Sequence, residues 1–139
     1  MSFAQQAYRR STQTQWSRVD LLVALYSATE RTLLSGAAAV EQSDFEAASA
    51  KAVHARKQLL AILEGVEPGT DGGAENVRRL LTFCHYCLNL NTASSWNDAA
   101  KIIRTLRSAF EGVQDEARQL EAAGEIPSLD VTSRRAVVA

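Results

Sequence analysis

Residues that interrupt helices or hold together small rigid scaffolds are scarce in this sequence. It has two prolines, seven glycines and two cysteines among 139 residues, and aromatic residues make up only 6% of it. The long windows that remain are rich in Ala, Leu, Glu, Gln and Arg, which favour helices. Cys84 and Cys87 lie one helical turn apart in an apolar run, which indicates reduced thiols rather than a disulfide scaffold. We therefore expect one all-α domain with an aliphatic core.

A strong charge of one sign is also lacking. The formal net charge is −1, and arginines occur in scattered pairs such as Arg9-Arg10, Arg78-Arg79 and Arg134-Arg135. Because no basic stripe is present to neutralise phosphates, we expect no nucleic-acid partner. The sequence opens without a charged-then-apolar leader, and its apolar runs fall far short of about eighteen residues. The expected location is the cytoplasm, without membrane insertion.

Apolar residues recur at alternating steps of three and four in four stretches, the pattern of amphipathic helices. For the first helix, Ser17 and Asp20 form a capping box, so the helix is predicted to begin near residue 18. It is predicted to run to about Gln42, with a weak point at Gly36.

A second capping box, Ser43 with Glu46, predicts the start of helix two. Small residues fill the first half of its stripe, which lets another helix approach closely or leaves a shallow groove. The stripe consists of Phe45, Ala48, Ala52, Ala55, Leu59, Ile62 and Val66. The segment EPGTDGG, residues 67–73, is predicted to be a loop.

Helix three, predicted from about Glu75 to Leu90, is apolar along two adjacent stripes. These are Val77-Leu81-Cys84-Leu88 and Leu80-Phe83-Cys87-Leu90. One bundle seam requires less apolar surface than this. Either helix three is the most buried helix, or its second stripe binds an amphipathic partner helix.

Residues 91–95 are expected to cap helix four, which Gly124 and Pro127 end. Its stripe is Trp96, Ala99, Ile103, Leu106, Phe110, Val113, Ala117 and Leu120. Four helices with short connections predict an antiparallel up-down four-helix bundle over residues 17–123. A short N-terminal segment, residues 1–16, precedes it and carries the rings of Phe3, Tyr8 and Trp16. Residues 124–139 are expected to form a flexible tail.

His54 with Lys57 matches the spacing of histidine phosphotransfer domains, which are also four-helix bundles. His54 lies off the apolar stripe, and Lys57 on the next turn is placed to hold a phosphoryl group. Those domains usually have glycine after the lysine, whereas this chain has Gln58. Phosphotransfer through His54 is therefore an alternative function, and a polar surface histidine is the simpler interpretation.

Other chemistry has no positive support in the sequence. Cys84-His85-Tyr86-Cys87 spells a Cys-x-x-Cys motif, but it lies inside a predicted helix rather than at the helix N-terminus that lowers a thiol pKa. A structural zinc site needs four ligands, and only His54 and His85 could be added to the two cysteines. We expect neither enzyme activity nor a metal or other cofactor.

The order of several landmarks resembles the flagellar export chaperone FliS family over residues 7–115. Ala7-Tyr8 opens the resemblance, and Leu25-Tyr26 follows at the family spacing, eighteen residues after the first tyrosine. Ser43-Asp44-Phe45 and Leu106-Arg107-Ser108-Ala109-Phe110 match two later segments. The chain departs from the family in lacking a proline after Ser17 and in having Phe110 where the family has tryptophan.

The resemblance implies a cytoplasmic chaperone that binds the disordered C-terminal segment of flagellin and prevents its polymerisation before export. Such a segment is amphipathic and folds on a surface, which an Ala-rich helix two and a doubly apolar helix three would provide. The residues predicted to bind the client are Tyr8, Ala48, Ala52, Val53, Leu80, Leu81, Phe83, Cys87 and Leu88. The segment with Phe3, Tyr8 and Trp16 is a candidate latch over this surface. A related adaptor for another helical partner, or a homodimer, remains an alternative.

Overall fold

All regular structure in the described part of the chain, residues 17–66 and 72–124 of a computed structural model, is helical. The five helices are α1 (Arg18–Glu41), α2 (Phe45–Glu64), α3 (Gly73–Asn89), α4 (Ala93–Gly112) and α5 (Gln114–Ala122). The all-α prediction is confirmed for these residues. Within the same ranges, every helix is too short or too polar to cross a membrane.

Helix α1 is the central element of the packing. It packs most extensively on α4 and α2, and α5 lies against it as well. Helix α3 packs on α4 and, over a smaller area, on α2. Each of the four long helices therefore contacts two others, in the cyclic order α1, α2, α3, α4.

The predicted apolar stripes supply most of the core. Its largest fully buried side chains are Trp96, Tyr26, Leu33, Leu59, Ile62, Leu81, Leu88 and Ile103. Trp96 from α4 lies so close to α1 that a Cβ atom on Gly36 would overlap its six-membered ring. The glycine that weakens α1 by propensity is therefore the residue that lets α4 approach it.

The start of α1 agrees with its predicted capping box. Ser17 Oγ accepts a hydrogen bond from the Asp20 backbone N–H, and the Asp20 carboxylate accepts one from the Ser17 N–H. The second predicted box is wrong by one residue. Asp44, not Ser43, caps α2 by accepting from the Ala47 N–H at 3.1 Å, because Ser43 lies in the turn with a left-handed φ of 58°.

In the predicted stripes of helices two and four, one apolar residue of each is exposed. Phe45 is exposed because it is the first residue of α2. Val113 is exposed because the predicted fourth helix breaks there, so that α4 ends at Gly112 and α5 begins at Gln114. The prediction of one continuous helix to residue 123 is therefore wrong.

The break directs α5 onto the start of α1 through polar contacts. The Asp20 carboxylate accepts hydrogen bonds from Gln114 and Arg118 of α5. The Glu121 carboxylate accepts from the backbone N–H of Arg18 at 3.1 Å, which is one of the amides that a helix start leaves without an internal partner. No residue of α5 is buried, so hydrogen bonds and charge hold this helix more than apolar packing does.

We expect Gly36→Ala to destabilise the fold by about 1–3 kcal/mol, because the buried Trp96 ring must move to admit the new methyl group. This reverses the usual gain of up to about 1 kcal/mol for Gly→Ala inside a helix. Urea unfolding followed by circular dichroism measures the change. Gly112→Ala is the matched control, since a Cβ there meets nothing within 4 Å. Equal effects of the two substitutions would contradict the close α1–α4 approach.

The Asp20 contacts predict a loss of stability in acid. Burial alone would raise the pKa of Asp20, but hydrogen bonds from Arg118, Ser17 and Gln114 outweigh burial and lower the pKa to about 2, against 3.8 for an unperturbed carboxyl. Because the folded pKa is depressed, the stabilisation is complete above roughly pH 4 and is lost as the pH falls through about 2.

Asp20→Asn should therefore lower the free energy of unfolding by on the order of 1–2 kcal/mol at neutral pH, and the difference should shrink to a small fraction near pH 2. Urea titrations at a series of pH values measure this. Asp115→Asn is the control, because Asp115 contacts the same arginine from an exposed position. A difference between Asp20→Asn and the unmodified chain that stays constant with pH would contradict the assignment.

Candidate docking surface

Helix α3 carries apolar side chains on two opposite sides. Leu81, Cys84 and Leu88 point into the core and are fully buried. On the outer side, four large apolar side chains remain between 38% and 56% exposed: Leu80, Phe83, Tyr86 and Leu90. We call these four residues the α3 face. The second predicted stripe of this helix is thus exposed, except for the buried Cys87.

The α3 face lies beside α4. The Cys84 thiol donates a weak hydrogen bond to the Ala99 carbonyl of α4, with 3.8 Å between sulfur and oxygen. Burial, and to a smaller extent the charge of Asp98 of α4, raise the pKa of the Cys87 thiol. Residues three and four apart share one side of a helix, so Leu80, Phe83 and Cys87 continue along the α4 side of α3.

Polar contacts occupy the other flank of α3, where it meets α2. Arg56 donates a hydrogen bond to the Asn89 side-chain oxygen at 2.6 Å. Arg78 donates to the Val66 carbonyl at 3.2 Å. His85 lies one turn before Asn89 and therefore on the same side of α3. Burial and the nearby Arg56 lower its pKa. Two exposed apolar residues of α2, Val53 and Leu60, therefore lie across a polar seam from the α3 face.

The predicted client-binding residues thus fall into separate groups. Leu80 and Phe83 belong to the α3 face, and Val53 is exposed on α2. Ala48, Leu81, Cys87 and Leu88 are buried and present no surface to a partner, while Ala52 is partly buried against the core. Of the alanines for which we expected either a close helix approach or a shallow groove, Ala48 and Ala55 are buried. Phe3, Tyr8 and Trp16 lie outside the described residues.

Sequence reasoning did not assign Tyr86 to the surface, because it lies off both stripes of helix three. Its ring contacts that of Phe83, with 6.2 Å between the centroids. The spacing of three residues between the two rings was the sequence feature that could have placed Tyr86 on the same side of the helix as Phe83. Tyr86 is the most exposed member of the α3 face and extends it away from α4.

Few charges border the α3 face. Arg79 lies one residue before Leu80 and forms an exposed ion pair with Glu75, with 3.3 Å between nitrogen and oxygen. On the α4 side, the exposed Asp98 directly precedes Ala99, whose carbonyl accepts from Cys84. The face itself is uncharged from Leu80 to Leu90 apart from the partly buried His85 on the opposite flank. An apolar partner surface fits it better than a charged one.

The two thiols show the reverse of the environment that a redox pair needs. Burial and the neighbouring Cys87 raise the pKa of Cys84 to about 12, and burial and Asp98 raise the pKa of Cys87. Both cysteines are free and buried. Among the described residues, no three His, Cys, Asp or Glu side chains come together as metal ligands would.

His54 and Lys57 are both exposed on α2, and the residue that follows them, Gln58, is partly buried. Exposure is what a phosphotransfer histidine requires, but it is also the ordinary state of a surface histidine.

Comparisons with known proteins leave the site to be interpreted from its own geometry. No family model matches the chain, and neither curated proteins nor solved structures give a match.

The buried thiols should be nearly inert in the folded protein. At pH 8 we expect an aromatic disulfide reagent to modify Cys84 and Cys87 at least about a hundredfold more slowly than in the urea-unfolded chain, since so little thiolate forms at a raised pKa. Ser94→Cys, at an exposed position of α4, supplies a reactive thiol as the control. Rapid modification of the native chain without unfolding would contradict this account.

Proposed function

We propose that the four long helices form an antiparallel four-helix bundle. Side-chain contacts of α1 with α4 and α5 support this, because the residue number of the partner falls as the residue number along α1 rises. Asp20 contacts Arg118, Tyr26 stacks on Phe110 at 5.4 Å between centroids, and Glu30 pairs with Arg107 at 2.6 Å. Between α2 and α3, contacts of Arg56 with Asn89 and of Val66 with Arg78 run in the same opposed order.

We further propose that the protein is a cytoplasmic flagellar secretion chaperone. It binds the disordered C-terminal segment of flagellin and prevents premature polymerisation, and it does so by binding alone, without catalysis. The observation that carries this proposal is the α3 face. A helix that is buried on one side and still presents four large apolar residues on the other has a surface suited to an amphipathic helix.

The size of the α3 face limits how tightly a client can bind to this face alone. Four side chains at about half exposure leave on the order of 350 Å² of apolar area. Covering it gains roughly 9 kcal/mol before costs, and ordering a disordered client takes back about 2–5 kcal/mol. The remainder also has to offset the lost freedom of association. Tight binding therefore needs further contacts, and Val53 and Leu60 offer a second apolar site across the polar seam.

The residues that carry the family resemblance also contact one another. Tyr26 of the Leu-Tyr pair stacks on Phe110, which stands at the family's tryptophan position. Arg107 of the same segment binds the buried carboxylate of Glu30. These landmark residues lie in the contact between α1 and α4, so segments far apart in the sequence take part in one packing arrangement. This coupling favours the family interpretation over a chance set of short motifs.

The proposal is tested by calorimetric titration of the protein with a flagellin C-terminal peptide. We expect binding, and we expect Leu80→Asp to weaken it at least tenfold, because a carboxylate at the α3 face must be desolvated against an apolar helix. Leu34→Asp is the matched control, since Leu34 of α1 and Leu80 are 39% and 38% exposed. Circular dichroism verifies that both variants fold.

Two results would oppose this function. One is the absence of binding by the folded, unmodified chain to the flagellin peptide. The other is equal weakening by Leu80→Asp and Leu34→Asp, which would separate binding from the α3 face. Transfer of a phosphoryl group from a phosphorylated receiver domain to His54 would favour the phosphotransfer alternative instead.

A further inference from the structure

Positive charge accumulates on the side of the molecule that α2 and α3 form. Residues 47–63 and 76–90, which make up most of these two helices, contain no Asp or Glu, although the whole chain has a formal net charge of −1. Their cationic residues are Lys51, Arg56, Lys57, Arg78 and Arg79. Arg79 is paired with Glu75. Within residues 17–66 and 72–124, the other four have no carboxylate partner.

Two of these cations, Arg56 and Arg78, lie in the seam between α2 and α3. Each donates a hydrogen bond to an uncharged acceptor, Arg56 to the Asn89 side-chain oxygen at 2.6 Å and Arg78 to the Val66 carbonyl at 3.2 Å. A guanidinium has five N–H donors, so both groups keep donors and their charge for a further partner. Both residues are half-buried, and their hydrogen bonds orient them toward fixed positions, where a carboxylate is bound by geometry as well as by charge.

The two seam guanidiniums are separated by about three helical turns. Arg78 and Asn89 are eleven residues apart in α3, which corresponds to about 16 Å along the helix axis and places both on the same side of the helix. Arg56 binds Asn89 at one end of this interval, and Arg78 lies at the other end. In a partner helix that lies along the seam, residues i and i+11 recur on one side at the same interval.

Apolar side chains border the seam on both helices. On α2, Val53 and Leu60 are exposed, and their spacing of seven residues places them on one side of the helix. On α3, the exposed Tyr86 lies on the part of the α3 face that is turned away from α4. A helix that rests on both borders covers more apolar surface than the α3 face alone, but it also covers the two cations between them. An uncharged helix would leave these cations desolvated and unpaired, which opposes binding.

We propose that the client is acidic where it covers this seam: two carboxylates about three helical turns apart bind Arg56 and Arg78, while apolar residues beside them pack on the two borders. This inference rests on the proposed function, because it specifies the chemistry of the segment that the same surface binds. The occupant is a protein helix rather than an anionic membrane. A flat lipid surface meets exposed cations such as Lys57, whereas half-buried cations between two apolar borders are reached by a narrow segment.

Calorimetric titration of the full chain with designed peptides tests this inference. Two amphipathic helices of Leu, Ala and Gln, each about 22 residues long, differ only at positions i and i+11, which are Glu in one peptide and Lys in the other. We expect the Glu peptide to bind at least about tenfold more tightly at low salt, and the difference to shrink as NaCl is added. A third peptide has its second Glu at i+9, on the opposite side of the helix, and should lose most of this advantage.

A double variant of the protein assigns the preference to the seam. Arg56→Gln combined with Arg78→Gln removes both charges and keeps an amide donor at each position, and it should reduce the preference for the Glu peptide to less than about threefold. Arg31→Gln combined with Lys101→Gln is the matched control, because it removes the same charge from exposed positions on α1 and α4. The control should keep the full preference. Circular dichroism verifies that both double variants fold.

Equal affinity for the Glu and Lys peptides, no binding of either, or a preference that survives the double seam variant overturns the inference. Sedimentation of the chain with phosphatidylserine vesicles, without binding of the Glu peptide, would assign the cations to a membrane surface and overturns it as well. Failure of the inference is distinguishable from failure of the proposed function. A chain that binds the flagellin C-terminal peptide but does not discriminate between the designed peptides keeps the function and loses the inference, whereas a chain that prefers the Glu peptide and does not bind the flagellin peptide keeps the acidic-helix site and loses the flagellin client.

Discussion

The approach of Trp96 to Gly36 is the contact on which the arrangement of the helices depends. It brings the backbone of α1 against the largest buried side chain of α4, which fixes the register of the two helices. From there the contacts follow one another toward the start of α1: Glu30 with Arg107, Tyr26 with Phe110, and Asp20 with Arg118. A shift of one turn in this register would separate all three pairs together.

The exposed face of α3 follows from the extensive packing of α1 on α4 and α2. Helix α1 packs on α2 and α4, so that among the described residues α3 packs mainly on α4 and, over a smaller area, on α2. Two neighbours bury one side of a helix and leave the other in water. The apolar residues from Leu80 to Leu90 on that side add nothing to the core, although exposing them opposes solubility. Their presence is consistent with a surface that is covered by another polypeptide.

Much of the fold could be predicted from periodicity and capping, because both are local properties. The start of α1 at Ser17 and the buried stripe of Leu81, Cys84 and Leu88 follow from spacing alone. The break after Gly112 could not be predicted, because the apolar spacing continues across it and distant contacts to Asp20 hold α5 in place. Periodicity also could not separate Val53 from the α3 face, since the seam between them depends on the pairing of Arg56 with Asn89.

The thiols and the exposed aromatic rings lie in different parts of the molecule. The thiols of Cys84 and Cys87 have raised pKa values and are buried, so the interior holds them in their least nucleophilic form. The large aromatic side chains occupy both environments. Trp96 and Tyr26 are buried and stabilise the core, whereas Phe83 and Tyr86 are exposed on α3. Binding at the α3 face, as we propose it, would depend mainly on apolar shape complementarity. The partner that we propose therefore offers an apolar helical face rather than charge alone.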